Sequence, residues 1–337
     1  MTSAAPQTWL KPTSKGLYCA PCDFFIDPAW PVARAVVTHG HGDHARPNNR
    51  NVLATPETLA IMKSRFGEEA GGALQPVRYG ETTRLGDVAV RLAPAGHVLG
   101  SAQIVLEHAG SRVVVSGDYK RRPDPTCAPF EPQACDVFIT EATFGLPVFR
   151  HPPDAQEIGK LLHSVRLFPE RCHVVGVYAL GKCQRVLALL RRHGYVEPVY
   201  LHGALLPLCA LYEELGVALG PLRPATGAKR EELKGRIILA PPSAISDLWS
   251  RRLPDPVVAM ASGWMRVKQR AKASGVELPL VISDHADWDE LQATFDDVAA
   301  PEIWVTHGAE EAVLRQAALK GLKARALSIR GFEDDAE

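Results

Sequence analysis

The chain has 337 residues, 46% of them apolar, with 38 Lys+Arg against 38 Asp+Glu and a formal net charge of zero. That much apolar side chain can fill two cores, and a neutral total argues against a protein that merely coats nucleic acid by bulk charge. No run of about 18 apolar residues occurs and residues 1–14 lack the apolar core of a signal peptide, so a cytoplasmic protein with no membrane contact is expected.

The charge is unevenly spread. Between Arg171 and Arg270 stand 15 Lys+Arg and 7 Asp+Glu, a net of +8, which leaves −8 for the rest. A basic segment beside an acidic remainder suits a polyanion drawn towards cations, although two differently charged solvated surfaces would look the same in sequence. The seven cysteines are scattered and odd in number, which fits reduced thiols. Cys19-Ala20-Pro21-Cys22 has no second pair and reads as free or buried thiols rather than a structural zinc site.

In chain order, Phe24-Phe25-Ile26-Asp27 reads as an early strand ending in an acid, with an ordinary turn aspartate before Pro28 as the plainer reading. The apolar run 35–37 reads as a strand that hands over to Thr38-His39-Gly40-His41-Gly42-Asp43-His44. In an extended loop His39 and His41 point the same way, because side chains repeat every second residue. Asp43 and His44 are adjacent and project apart, so they can serve a second centre. Three imidazoles and a carboxylate so close together are costly without a cation. The loop reads as a binuclear metal site.

Thr55-Pro56-Glu57 supplies an N-cap, a proline at the first helical position and an acid in the first turn of a helix to about residue 65. Strands follow at 77–79 and 88–92. In Pro94-Ala95-Gly96-His97-Val98-Leu99-Gly100-Ser101-Ala102, His97 stands where the preceding strand has ended and supplies the third imidazole that one metal still lacks. The strand 112–115 ends in Ser116-Gly117-Asp118-Tyr119. An aspartate there can offer one oxygen to each of two cations about 3.5–4 Å apart. Another strand from residue 137 ends in Thr140-Glu141-Ala142-Thr143-Phe144-Gly145, and Asp154 reads as the cap of a helix to about 168.

Short apolar strands at 173–178, 199–202, 236–239 and 257–260 then alternate with helices near 184–193 and 205–215. Such alternation means a parallel α/β unit. Two of its turns carry chemistry. Tyr178-Ala179-Leu180-Gly181-Lys182-Cys183-Gln184 places a lysine at a helix start, where free amides and an ammonium make an anion site. Ala261-Ser262-Gly263-Trp264 follows the last strand. Structural turns alone would explain either one. The chain closes with the strand and loop Leu280-Val281-Ile282-Ser283-Asp284-His285-Ala286-Asp287, a helix from 287 to about 298, the strand and turn Glu302-Ile303-Trp304-Val305-Thr306-His307-Gly308, and a helix over 309–320. His108, His151, His163, His173, His193 and His202 join no constellation.

The HxHxDH wording of residues 39–44 resembles the signature of the metallo-β-lactamase superfamily. AGHVLGSA, TEATFG, the turn ALG-basic-x-Q and the closing SG turn narrow the resemblance to the β-CASP nucleases. Within them the chain is most similar, over about residues 17–327, to bacterial exonucleases encoded beside an ATP-dependent DNA ligase. His285 and His307 are both histidines, unlike the Artemis branch, which places the motifs nearer the RNA-processing and bacterial members.

The resemblance implies an α/β fold, a metallo-β-lactamase αββα sandwich with an inserted β-CASP α/β domain. Residues 1–170 and 271–337 would form the catalytic domain, and 171–270 the substrate-binding insert. His39, His41 and His97 would hold one divalent ion and Asp43, His44 and His307 another, with Asp118 bridging and Asp27 supporting the histidine loop. Zn²⁺ suits the mixed N/O ligands best, with Mn²⁺ the other choice. Glu141 would orient His285 as the proton donor, while Lys182 and Ser262 would contact substrate phosphates. The implied activity is DNA exonuclease action in repair, on single-stranded DNA or DNA ends, alongside a DNA ligase and helicase. An RNA-processing ribonuclease is the alternative. A small-molecule hydrolase of the same fold would need no insert.

Overall fold

The structure is a computed structural model that describes residues 4–247 and 249–327. The ends of the expected catalytic spans (1–3 and 328–337), and residue 248 of the expected insert, lie outside the described residues.

Six short strands form the first sheet in chain order: β1 (Leu10–Thr13), β2 (Gly16–Cys19), β3 (Phe24–Ile26), β4 (Ala35–Val36), β5 (Asn51–Ala54) and β6 (Ala73–Pro76). β1 to β3 run antiparallel and β3 to β6 parallel. Helix α1 (Pro56–Phe66) links β5 to β6, and the Thr55 hydroxyl accepts the Thr58 N–H to cap it as expected. A meander of β7 (Thr82–Leu85), β8 (Val88–Pro94), β9 (Ala102–His108) and β10 (Ser111–Val115) follows, with β11 (Val137–Ala142) parallel to β10. Residues 77–79 are not a strand. Pro76, which has no N–H to give a ladder, ends β6, and Gly80 turns the chain at φ +79°.

The chain then runs α2 (Asp154–Leu167), β12 (His173–Gly176), α3 (Lys182–Arg192), β13 (Val199–Leu201), α4 (Leu206–Glu214), β14 (Leu222–Pro224), α5 (Arg230–Leu233), β15 (Ile237–Ala240), α6 (Pro242–Ile245), β16 (Val257–Ala261), α7 (Lys268–Ala273) and β17 (Leu278–Leu280). These six strands pair only in parallel, in the order β14-β13-β15-β12-β16-β17. Parallel neighbours need crossovers, which the intervening helices supply. Asp154 does not cap α2. It is the first helical residue, and its carboxylate instead lies 2.6 Å from the guanidinium of the buried Arg185. The return leg adds α8 (Trp288–Val298), β18 (Glu302–Gly308), α9 (Glu310–Leu319) and β19 (Lys323–Ala326), completing a second sheet ordered β19-β18-β11-β10-β9-β8-β7.

Residues up to Val148, together with those from His285 onward, form one compact unit; Phe149–Asp284 form another. The middle unit is longer than the expected 171–270 because α2 belongs to it: the buried Glu157 carboxylate accepts the Val281 N–H at 2.9 Å, just past β17. In the first unit, alternate residues of the second sheet face opposite ways. Val88, Val90, Leu92, Val113, Val115, Ile139 and Trp304 meet Leu10, Phe24, Ile26, Val36 and Leu53 of the first sheet. Their neighbours Val105, Val114, Phe138, Ile303 and Val305 pack under Leu291, Phe295 and Val298 of α8 and Val313 of α9. Leu59 and Met62 of α1 cover the outer face of the first sheet. The order is helix, sheet, sheet, helix, and strands buried on both faces read as continuous apolar runs for that reason.

Candidate metal centre

The functional side chains of the first unit stand on loops at strand ends. β4 stops at Val36, the 39–44 loop follows, and the Arg65 guanidinium donates to the Gly40 carbonyl from the end of α1. Gly117, at φ +57°, sits so close to Thr38 that an added Cβ would lie 2.8 Å from that side chain. Gly308, at φ +93°, lies against the backbone of Ala142, 2.2 Å from where a Cβ would be. Both positions require glycine, and both bring a ligand loop onto a neighbouring strand.

Four side chains converge first. His41 Nδ1 lies 3.1 Å from His39 Nε2 and 3.0 Å from His97 Nε2, and Asp118 Oδ2 lies 3.5 Å from His39 and 3.9 Å from His97. Nitrogens bound at 2.0–2.1 Å around a tetrahedral ion would stand about 3.3 Å apart. A second group adjoins it: His44 Nε2 lies 3.3 Å from both Asp43 Oδ2 and Asp118 Oδ2, and His307 Nε2 lies 3.6 Å from Asp118 Oδ1. His39, His41, His97 and Asp118 have ligand atoms close enough to share an ion, as do Asp43, His44 and Asp118, so Asp118 belongs to both sets; His307 approaches Asp118 without joining either set. His39, His44, His97 and Asp118 are all buried.

The far sides of the rings are tied to the protein. The Thr38 hydroxyl donates to Asp27 Oδ2 at 2.6 Å, so it accepts from His39 Nδ1 at 3.0 Å. His44 Nδ1 donates to Asp27 Oδ2 at 2.8 Å. Thr306 donates to the Thr140 carbonyl and accepts from His307 Nδ1 at 2.9 Å. In each ring Nδ1 faces its protein partner and Nε2 faces inward, the arrangement that fixes tautomer and orientation in metal-bound histidines. Asp27 holds this position at φ +43°, an uncommon conformation for a non-glycine residue.

The electrostatics favour a cation. Asp118 Oδ1 is buried and has no hydrogen-bond donor among the described residues. Burial works against a charge on His44, but Asp118, Asp43 and Asp27 outweigh it and hold that imidazole well above its ordinary pKa. Burial would likewise raise Asp118, yet the His44 charge beside it keeps it well below the carboxylate range. Burial and the His44 charge together keep His39 neutral. In the apo protein, then, a proton on His44 offsets the carboxylates, and a divalent ion would take over that role. The donor set fits one.

His285 stands beside this centre with a different attachment. Its Nδ1 donates to Glu141 Oε2 at 2.8 Å, and Glu141 Oε1 accepts the Tyr119 N–H at 2.8 Å. Its ring centroid lies 4.6 Å from that of His97. A further network, which the sequence does not disclose, holds its loop. The buried Lys120 ammonium donates to the His285 carbonyl at 2.9 Å and to Glu290 Oε2 at 2.6 Å, and Glu290 closes a capping box with Asp287. The one sequence signal was Asp287-x-x-Glu290 opening α8; nothing marked Lys120.

Lys182 and Ser262 lie in the middle unit. Lys182 does not face solvent: its side chain is fully buried and its ammonium lies 2.6 Å from Asp284 Oδ1. A phosphate contact would require breaking that pair, so the expected anion-binding role is not available to it in this conformation. Gln184 moreover folds back on the Gly181 N–H at 2.8 Å, occupying one amide of the helix start. Ser262 is 3% exposed, and its hydroxyl accepts the Trp264 N–H to cap a short turn of helix. Among the unassigned histidines, the buried His173 is bonded to Ser164 at 2.9 Å.

No family model matches the chain. It is 30% identical over 325 residues to a probable DNA ligase of Opitutus terrae, an alignment covering 95% of this chain and 31% of that protein. It is 30% identical over 212 residues to a ribonuclease of Thermus thermophilus, covering 53% and 48%, and 31% identical over 140 residues to an endoribonuclease of Saccharomyces cerevisiae, covering 40% and 18%. The chain thus spans about a third of the ligase and half of the ribonuclease. A crystal structure of a protein of unknown function from Enterococcus faecalis superposes with a TM-score of 0.59 at 13% identity, covering 88% of this chain and 80% of that one; it supports the fold alone.

Two outcomes are expected. Lys182→Ala removes the ammonium that lies 2.6 Å from the buried Asp284 carboxylate, so urea unfolding should show a loss of about 3–5 kcal/mol with metal content unchanged. Glu290 is held down to about 2 from 4.5: burial opposes its ionisation, but the Lys120 charge beside it prevails. A depressed carboxyl stabilises the fold above the unfolded pKa and loses that contribution as pH falls through the folded one. The gap in stability between wild type and Glu290→Gln, about 3 kcal/mol at neutral pH, should therefore shrink between pH 4.5 and about 2 in chelator-treated protein.

Proposed function

We propose that this chain, which belongs to the metallo-β-lactamase/β-CASP nucleases, is a two-metal phosphodiesterase acting on nucleic acid. The observation that carries the reading is Asp118, shared by two adjoining donor groups. The helix-sheet-sheet-helix unit would be the metallo-β-lactamase catalytic domain and the parallel middle unit the β-CASP insert. His39, His41 and His97 would hold one ion, and Asp43, His44 and His307 the other, with Asp118 between them. Zn²⁺ suits these ligands best and Mn²⁺ next. When bound, two such ions supply a nucleophilic hydroxide at neutral pH and neutralise charge on the phosphate oxygens.

The chain's own residues do the rest. Asp27, Thr38 and Thr306 keep the ligand rings aimed inward. Glu141 accepts the Nδ1 proton of His285 and so leaves Nε2 as its working nitrogen. From there His285 delivers a proton to the departing sugar oxygen. Lys120 fixes the loop that carries His285, so the donor stays in place as substrate enters. In the middle unit Ser262 remains the candidate for a phosphate contact. Lys182 would serve by locking Asp284, the residue before His285 in sequence, rather than by touching substrate.

The substrate we favour is DNA, cut from a single-stranded or broken end in repair, since the alignment covering nearly the whole chain is to a protein named as a probable DNA ligase. A partnership with a ligase and a helicase follows from that reading. RNA cleavage is the second reading, favoured by the relatives named as ribonucleases. The seven cysteines are free thiols and no helix among the described residues is long and apolar enough to cross a membrane; a reducing, cytoplasmic setting suits the thiols. End-labelled DNA and RNA of equal sequence, digested in parallel with Zn²⁺ or Mn²⁺, separate these choices. A chain that cleaves neither overturns the nuclease reading.

Asp118→Ala should lose both bound metal, read by mass spectrometry, and hydrolysis, because it removes the ligand common to both groups. Full activity in that variant would rule out the two-metal centre. His285→Ala should keep its metal and bind substrate nearly normally while turnover falls by about 10²–10⁴, the usual worth of a positioned proton donor. A p-nitrophenyl phosphodiester, whose leaving group needs no proton, should be much less affected. Equal loss on both substrates would make His285 structural.

A further inference from the structure

With Lys182 buried, a polyanion must be gripped elsewhere, and the middle unit offers a patch that answers. The unit Phe149–Asp284 carries 19 Lys+Arg against 12 Asp+Glu. Several of its cations have local acidic neighbours. Lys234 lies 2.7 Å from Glu231, Arg236 pairs with Glu197, Arg171 lies 3.2 Å from Glu277, and Arg185 and Lys182 are buried against Asp154 and Asp284. Residues 263–276 differ: they hold Arg266, Lys268, Arg270 and Lys272 and no acidic residue. All four are exposed. Lys268, Arg270 and Lys272 have no carboxylate within ion-pair distance among the described residues.

The local structure keeps these charges together. Ser262 caps the turn Gly263–Arg266, and α7 follows, anchored by the buried Ala271 and by Met265. The spacing puts Lys268 and Lys272 one turn of α7 apart, and like charges so placed repel. The Arg270 guanidinium lies over the Trp264 ring, 4.1 Å from its centroid, and that ring is set edge-on to Phe149 at 5.1 Å. The stack holds Arg270 in place as a planar donor suited to a phosphate oxygen. Four exposed cations on a turn and a short helix, one of them pre-positioned on an aromatic ring, match a chain of phosphates.

We infer that the exposed basic segment Arg266–Lys272 is the surface on which this protein grips single-stranded DNA through its phosphodiester backbone. The inference rests on the nucleic-acid reading above and names where in the middle unit that substrate is held. Backbone contacts of this kind carry no base specificity. They set affinity and salt dependence, leaving chemistry to the metal centre.

The test is a Lys268→Gln/Arg270→Gln/Lys272→Gln triple variant, set against a Lys229→Gln/Arg230→Gln/Lys234→Gln control drawn from α5 and the residue on either side of it, where Glu231 and Glu232 are interspersed. Binding of a labelled single-stranded DNA is read by anisotropy across a salt titration, with hydrolysis of bis(p-nitrophenyl) phosphate and metal content alongside. The triple variant should bind about tenfold more weakly, and its log K against log salt should be shallower by about 2, roughly 0.7 for each phosphate no longer neutralised. The small diester and the metal content should be unchanged, and the control should behave as wild type. Unchanged DNA affinity and slope in the triple variant overturn the inference while leaving the nuclease reading intact. So does loss of binding to RNA but not to DNA of equal sequence, or competition by polyglutamate as strong as by DNA. A wild type that neither binds nor cleaves nucleic acid overturns the reading beneath it, and the inference with it.

Discussion

Everything in the first unit answers to the cost of burying Asp118 among imidazoles. An isolated carboxylate taken out of water is very unfavourable unless it is paired. Here the compensation is arranged in two alternative forms. With a proton on His44 the cluster is balanced well enough to fold, and burial together with that charge keeps His39 neutral, the form in which an imidazole can be a ligand. With cations the same residues present lone pairs rather than protons. The site is a folded object whichever charge fills it, and metal uptake must release the proton that His44 carries.

That arrangement extends outward through the residues that never touch the centre. Asp27 serves two partners at once, taking the Thr38 hydroxyl and backbone N–H on one side and His44 on the other. Thr38 in turn passes the constraint to His39. Lys120 does the equivalent for His285 by holding its carbonyl, while Tyr119 and Glu141 hold its ring. Three consecutive residues, Asp118, Tyr119 and Lys120, therefore couple the metal-binding groups to the proposed proton donor. Folding sets this orientation, so a ligand or substrate does not have to impose it.

Much of this was legible in the residues and some was not, for physical reasons. The strand-end histidines could be read because alternation along an extended chain and the glycines beside them restrict where the rings can go. The parallel middle sheet could be read because short apolar strands alternating with helices have few other solutions. Asp154 and Lys182 misled for a common cause. A carboxylate or ammonium at a helix start has good local uses, capping or anion binding, and local pattern favours those; a long-range ion partner, 31 residues on for Asp154 and 102 for Lys182, leaves no local trace. The strand expected at 77–79 failed to a proline and a glycine whose local effect outweighs the apolar pattern. Lys120 was invisible because a lysine after a turn is ordinarily solvated, and only the tertiary fold brings Glu290 to it.

The same distinction decides what the basic character of the middle unit means. A net charge counted along a sequence treats every cation as equal, but burial divides them into two kinds. Lys182 and Arg185 commit their charge to Asp284 and Asp154 inside the fold and contribute almost nothing to the field outside it, since each is neutralised within 2.6 Å. Arg236 and Lys234 are similarly offset at the surface. What remains for a polyanion is the set of exposed cations, and in the stretch 266–272 Lys and Arg recur at every second residue with no acid between them. Its exposure, the ring beneath Arg270 and the cap at Ser262 all act on the same short stretch. The Ser262 hydroxyl caps Gly263–Arg266 and so sets the turn from which the exposed cations project.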